Sequence, residues 1–212
     1  MNEYLQCTEY FDFEHPLVQN MVDGVCPEVE NPVDIACRLY NAVRDNYRYD
    51  PYSFSSKARN FSASFVIEQG RSYCIPKAVL LGAAARAKGI PSRLCLADVV
   101  NHLADVTFVQ KLKSRVFAMH GCIELHIEGR WVKATPAFNR SLCEHFGVEP
   151  LEFDGYHDSI FQKFNGAERY MEYVADYGHF SDVPRDFIVE RLVGAYPHLE
   201  PEIMQGGWLT KG

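Results

Sequence analysis

A run of small and apolar residues from Cys74 to Ala87 constrains the fold of this chain more than any other stretch. Pro76 suits the first turn of a helix, where its missing N–H costs nothing, and apolar residues then recur at helical spacing. Gly89 and Pro91 together form a stop signal at the C-terminal side. The pattern predicts a helix of about 14 residues with Cys74 at its positive end.

The position of Cys74 is consistent with two roles. Free N–H groups and the dipole at a helix N-terminus favour the thiolate, which is the nucleophilic form, and the same N–H groups could hold an oxyanion. The alternative is a small buried hydrophobe, the usual role of a free cysteine. The seven cysteines are irregularly spaced and include no C-x-x-C pair, which argues against a disulfide framework and a structural zinc site. We therefore expect neither metal nor cofactor.

The composition narrows the classes of partner. The net charge is -7 and no run of lysine or arginine is present, so neither nucleic acid nor a membrane surface is an expected partner. No apolar run approaches the ~18 residues of a spanning helix, and the first residues lack the features of a signal peptide. These features predict a cytoplasmic protein with a single domain over residues 1–212, and they leave the oligomeric state open.

Strand patterns follow the predicted helix. Residues 93–100 predict one strand, and residues 116–127 predict a longer strand whose side chains alternate between two faces. Glu128-Gly129 is a hairpin turn signal, and residues 131–135 return from it. These segments predict an antiparallel arrangement.

The hairpin register makes a specific prediction about His120. With a two-residue turn, Ile127 pairs with Arg130, so Cys122 faces Thr135 and His120 lies diagonally across from Thr135. His120 and Thr135 should therefore share one face of the sheet.

The rest of the chain carries weaker signals. Asn31 as N-cap and Pro32 at the first position predict a second helix, and residues 184–195 predict a terminal one. Residues 1–30 have an irregular or mixed pattern, and residues 52–70 predict a loop or short helices.

Several blocks together resemble the transglutaminase-like superfamily. The first is similar to the family's helix before the core, the second to its nucleophile helix, and the last two to its histidine strand and the strand after it. The blocks are residues 42–50, 74–93, 120–125 and 129–132. The similarity covers about residues 32–139 and leaves residues 140–212 as a C-terminal extension.

The resemblance implies an α+β, papain-like fold, in which the nucleophile helix packs on an antiparallel sheet, and a Cys-His-Asp triad. By position, Cys74 is the nucleophile and His120 the general base and acid. The family's Trp-x-x-x-Asp-Pro pattern has Thr135 in place of Asp, and this hydroxyl can orient the imidazole without charge. Asn139 is an alternative orienting group. Gln69 is a possible oxyanion donor, although a glutamine in a surface loop is the simpler interpretation.

Two functions of different classes follow from these features. The first is a thiol enzyme that transfers or hydrolyses the acyl group of a peptide, protein or small amide substrate through Cys74 and His120. The second is a catalytically weak or inactive binding module that keeps the same fold, which the Thr135 substitution favours. Nothing in the sequence names the substrate or decides between water and an amine as the acyl acceptor.

Overall fold

The computed structural model describes residues 1–102, 104–160, 163–164, 168–169 and 171–206. Its helices are α1 (Pro16–Val25), α2 (Pro32–Asn46), α3 (Ala63–Gln69), α4 (Cys74–Ala87), α5 (Val106–Leu112), α6 (Arg140–Phe146), α7 (Arg185–Ala195) and α8 (Glu200–Met204). Its strands are β1 (Arg48–Tyr49), β2 (Arg71–Ser72), β3 (Ser92–Asn101), β4 (Val116–Ile127), β5 (Arg130–Ala134), β6 (Lys163–Phe164), β7 (Glu168–Arg169) and β8 (Met171–Phe180). Short 3-10 turns lie at Asn2–Leu5, Pro51–Ser53, Ala58–Phe61 and Pro197–Leu199.

The central sheet is antiparallel, with the strand order β5-β4-β3-β8. Helix α4 packs against β3 and β4 on one side and against α1, α2 and α3 on the other. The fold is therefore α+β, with the helix that begins at Cys74 lying on an antiparallel sheet, as the resemblance implied.

Helix α4 is the central element of the core. Every residue from Cys74 to Arg86 is buried, and a helix that is apolar on all sides is stable only inside a core. Strands β1 and β2 form a short parallel pair, in which Tyr49 faces Ser72, and this pair fixes the direction in which the chain enters α4. Neither α4 nor any other helix of the described residues is long and apolar enough to cross a membrane.

The strongest predictions from the sequence are confirmed. The Asn31 side chain accepts hydrogen bonds from two N–H groups at the start of α2, at 2.9 and 3.2 Å. The β4–β5 hairpin has the predicted register, in which Ile127 pairs with Arg130. Its turn residues, Glu128 and Gly129, have φ angles of 48° and 83°, and two positive φ values in a two-residue loop are typical of a type I′ turn.

Helix α1 and strand β8 are among the elements that the sequence analysis did not predict. Helix α1 lies within the segment that we expected to be irregular; His15 caps it by accepting a hydrogen bond from the N–H of Leu17, and Pro16 is its first residue. Strand β8 lies in the C-terminal extension and forms the sheet edge beside β3. The core accordingly includes residues from Phe11 to Ile203 and is not limited to the segment that resembles the family.

Candidate active site

Cys74 lies at the first position of α4, and its side chain is buried at 8% exposure. Burial raises the pKa of the thiol to about 11, although hydrogen bonds from the backbone N–H groups of Gly121, Ile75 and Cys74 itself act in the opposite direction. The thiolate that we expected from the helix dipole is therefore not the resting form. At neutral pH the side chain is a neutral thiol with N–H donors around it.

Gly121 allows β4 to lie directly against the first turn of α4. A Cβ atom at this position would be 2.8 Å from Cγ1 of Ile75 and 3.0 Å from its Cα, closer than real Cβ atoms come to their neighbours. Because no Cβ is present, the backbone of β4 can approach closely enough to donate to the Cys74 thiol.

A bulge in the sheet directs His120 toward the same place. The β3–β4 register shifts between Ala97 and Val99, and Met119 on the opposite strand has a φ of 60°. The N–H of Met119 donates to Oδ1 of Asp98 at 3.0 Å. Bulges commonly re-aim side chains next to active sites.

The residues of the bulge in β4 reach the cavity that contains Cys74. Ala118, Met119 and His120 line one cavity with Cys74. The predicted register is confirmed in the β4–β5 hairpin, from the pair Ile127–Arg130 to the pair Ile123–Ala134. The cavity has a volume of about 50 Å³.

His120 is 7% exposed, and burial lowers its pKa to about 4. Its Nε2 atom is buried and has no hydrogen-bond partner among the described residues. The site at neutral pH is therefore a neutral thiol and a neutral imidazole in one cavity, and no hydrogen bond joins them within the described structure.

The structure does not support an orienting role for Thr135. Its hydroxyl is buried without a partner among the described residues, so it makes no hydrogen bond to the His120 ring. Its backbone is held instead by Ser159, whose carbonyl accepts from the Thr135 N–H at 3.0 Å, and by Tyr40, whose hydroxyl donates to the Thr135 carbonyl at 3.2 Å. Strand β5 ends at Ala134, one residue before the position that would face Cys122.

The two other candidates are also placed away from these roles. Oδ1 of Asn139 accepts from the N–H of Tyr49 at 3.1 Å, and Nδ2 donates to the Ser141 hydroxyl at 2.7 Å. This side chain therefore connects α6 to β1 and does not orient His120. Gln69 is the exposed last residue of α3 and does not line the cavity, so it is not an oxyanion donor in this structure.

Tyr73 is a site residue that the sequence reasoning missed. It precedes Cys74 directly, lines the same cavity and is 8% exposed. Its hydroxyl is buried and has no partner among the described residues. Its ring packs edge-on against Phe54, with ring centroids 5.6 Å apart. The sequence feature that could have identified Tyr73 as a site residue is its position directly before Cys74.

Lys77, one turn into α4, is the second residue that was missed. It is fully buried, and its Nζ donates to the carbonyl groups of Arg44, Tyr47 and Ala137 at 3.0, 2.6 and 2.9 Å. Burial lowers the pKa of Lys77 to about 7, whereas three carbonyl acceptors match the three N–H bonds of the ammonium form and favour it. The signal was a lysine among small and apolar residues that run from Cys74 to Ala85.

No cluster of three or more His, Cys, Asp or Glu side chains in the described part of the chain could hold a metal ion. The chemistry available from the described residues is therefore that of Cys74, His120, Tyr73 and the surrounding backbone N–H groups.

A family model described as the transglutaminase-like superfamily matches residues 19–136, which is 118 of the 212 residues. Among solved structures, the chain is similar to a candidate cysteine protease from Cytophaga hutchinsonii, with a TM-score of 0.50 and 20% sequence identity. This match covers 63% of the present chain and 40% of the length of that protein. A search of curated proteins finds no match.

Proposed function

We propose, since the chain belongs to the transglutaminase-like superfamily, that it is a thiol enzyme that acts on the carbonyl of an amide or peptide bond. Cys74 is the nucleophile and His120 the general base and acid. The substrate is a peptide, a protein or a small amide, and neither nucleic acid nor a membrane takes part.

The observation that carries the proposal is the set of unpaired polar groups around the Cys74 thiol. The hydroxyl of Tyr73 and Nε2 of His120 are buried without partners among the described residues, and both side chains line the cavity of Cys74. A buried polar group without a partner costs about 1–3 kcal/mol, so such groups call for an explanation such as a bound ligand. A planar carboxamide, with a donor and an acceptor, has the chemistry to pair with both.

The reaction follows from these positions. The Cys74 sulfur attacks the carbonyl carbon while the imidazole of His120 takes the thiol proton. Both groups are neutral at neutral pH, so proton transfer accompanies the attack and does not precede it. Backbone N–H groups near the thiol, and the Tyr73 hydroxyl, are the available donors for the oxyanion.

The second half of the reaction releases the products. The C–N bond breaks as the imidazolium of His120 returns its proton to the leaving amine, and a thioester on Cys74 remains. Water as the acceptor then gives hydrolysis, and a second amine gives transamidation. Mass spectrometry of the products separates the two outcomes.

The experiment that tests the proposal is a screen of carboxamides and peptides, read by mass spectrometry for an acyl group on Cys74. We expect wild-type protein to form the adduct and turn the substrate over, and Cys74→Ala to do neither while remaining folded. Turnover that persists in Cys74→Ala would exclude Cys74 as the nucleophile.

One observation favours a second candidate, a catalytically weak binding module. Thr135 stands where the family pattern has Asp, and its hydroxyl makes no hydrogen bond to His120 in the described structure. A module of this kind would bind the same carboxamides in wild-type protein and in Cys74→Ala with equal affinity, and no acyl adduct would form on Cys74.

We also propose a cytoplasmic location. All seven cysteines are free, which is typical of a reducing compartment.

A further inference from the structure

A second, much larger cavity lies next to the one that contains Cys74 and His120. Its volume is about 540 Å³, compared with about 50 Å³ for the smaller cavity. Tyr49, Pro51, Asn101, Phe108 and Phe117 line both, so the two cavities are adjacent and share a wall.

Six aromatic rings line the larger cavity. The rings are those of Tyr49, Tyr52, Phe108, Phe117, Phe138 and Phe146. The side chains with polar groups among the other lining residues are Asn101, Asp105, Thr107 and Lys111. Pockets lined mainly by apolar and aromatic groups, with a few polar groups, are typical of small-molecule sites.

Contacts between the rings hold this wall in place. Tyr49 and Phe138 meet edge to face, with centroids 4.7 Å apart and an interplanar angle of 89°. Phe108 meets Tyr52 edge to face at 5.3 Å and stacks on Phe117 at 5.4 Å. Ring pairs in these geometries are mutually stabilising, so the cavity is preformed.

The two volumes suit different parts of one substrate. The smaller cavity, at about 50 Å³, suits a compact group such as a carboxamide. The larger cavity lies within the range of volumes that accommodate a drug-sized ligand.

We propose that the larger cavity is the specificity subsite of the same reaction and holds a bulky apolar group, preferentially aromatic, of the amide substrate. The inference rests on the proposed function, and it adds the class of substrate: an amide with a large apolar group next to the carbonyl that Cys74 attacks.

Binding is tested first without chemistry, in Cys74→Ala. The neutral dye N-phenyl-1-naphthylamine reports occupation of an apolar site by its fluorescence. N-benzylacetamide should displace the dye at least about tenfold more effectively than acetamide, because burial of one aromatic group is enough for that difference. Equal displacement by the two amides would overturn the inference.

Substitutions in the cavity wall test whether the preference for N-benzylacetamide arises in the larger cavity. Ala104 and Leu142 line the larger cavity and not the smaller one, so Ala104→Trp and Leu142→Trp each fill it and should abolish the preference for N-benzylacetamide. Val174→Trp, at a position on β8 that is 54% exposed, is the matched control and should keep it. A preference that survives in both filled variants, with native thermal unfolding, would also overturn the inference.

Alkylation of wild-type protein separates this inference from the proposed function. N-benzyl-2-chloroacetamide should label Cys74 at least about tenfold faster than chloroacetamide, after each rate is normalised to that with glutathione. Selective labelling of Cys74 at equal normalised rates would leave the nucleophile assignment standing and refute the subsite. Dye displacement without selective labelling of Cys74 would support the subsite and count against the nucleophile.

Discussion

Burial decides the ionisation of the side chains at the site. It raises the pKa of Cys74 to about 11 and lowers that of His120 to about 4, so both neutral forms are favoured. The helix N-terminus acts on the thiol in the opposite direction and is outweighed. The position of Cys74 was predictable from the sequence, whereas its protonation was not, because burial depends on residues that are distant along the chain.

The shifted pKa of His120 predicts a pH-dependent stability. The pKa falls from 6.5 to about 4 on folding, so between these values the unfolded chain binds a proton that the folded protein does not. The stabilisation is fully present above pH 6.5 and is lost as the pH falls. We expect the free energy of unfolding from urea titrations to drop by about 2 kcal/mol between pH 7 and pH 5 from this residue.

Substitution of His120 isolates its contribution to the pH dependence of stability. His120→Gln should lose that part of the pH dependence, whereas His126→Gln on the same strand should keep it. Equal pH dependence in His120→Gln and wild-type protein would refute the assignment.

Thr135 allows a prediction that separates a structural role from a catalytic one. Thr135→Val removes a buried hydroxyl without a partner among the described residues, so we expect unchanged or higher stability, by up to about 1–2 kcal/mol, and a turnover rate within about twofold of wild type. Chemical denaturation and initial rates measure the two effects. A tenfold loss of rate would show that the hydroxyl does bind the imidazole during the reaction.

The same substitution at Thr8 provides the contrast. The Thr8 hydroxyl donates to Asp182 at 2.9 Å, so Thr8→Val should cost about 1 kcal/mol of stability.

At the scale of elements, the contact between β4 and the first turn of α4 brings the site together. The strand and the helix were both predictable from periodicity. Their mutual position was not, because it depends on the missing Cβ of Gly121 and on the bulge that Asp98 holds through the N–H of Met119. These contacts are between distant positions, and a pattern along one strand does not contain them.

Gly121→Ala tests this contact. The new methyl group would overlap Ile75 and push β4 away from α4, so we expect a loss of about 1–3 kcal/mol in stability and at least a tenfold loss in the rate of Cys74 acylation. Urea unfolding gives the change in stability, and mass spectrometry of samples quenched at successive times gives the acylation rate. Wild-type acylation in this variant would show that close approach of the strand is not required.

Gly24→Ala is the matched control. Nothing lies within 4 Å of a Cβ at this position in α1, so the same substitution should stabilise the protein by about 0.5–1 kcal/mol and leave acylation unchanged.

At the scale of the whole molecule, Lys77 joins two parts of the chain that are distant from it in sequence, at residues 44–47 and at residue 137. Its ammonium group holds the end of α2, the residue before β1 and the segment after β5 against α4. We expect Lys77→Met to reduce the free energy of unfolding by about 3 kcal/mol or more, since it leaves buried carbonyl groups without donors. Urea denaturation measures the loss.

The C-cap of the same helix provides the control. Lys88→Met, at a half-buried position, should change stability by less than about 0.5 kcal/mol. If Lys77→Met also lowers the free energy of unfolding by less than about 1 kcal/mol, the ammonium group does not stabilise the contact between these segments.

The C-terminal third of the chain contains both an element that the sequence predicts and one that it does not. The terminal helix α7 was predictable, whereas β8 was not, because this edge strand contains Asp176 and Gly178 and only half-buries its alternate residues. The family match ends at residue 136, yet Met171, Leu192 and Tyr196 help to line the cavity of Cys74.

This distribution has a consequence for the protein during its synthesis. A nascent chain that has been synthesised only to residue 136 already carries both Cys74 and His120, but the wall contributed by residues 171–196 has not yet been translated. The ribosome must add 60 further residues, from 137 to 196, before the cavity can close around the thiol. Until then the sulfur lacks the enclosure that raises its pKa in the finished protein, so the nucleophile is synthesised before the wall that encloses it.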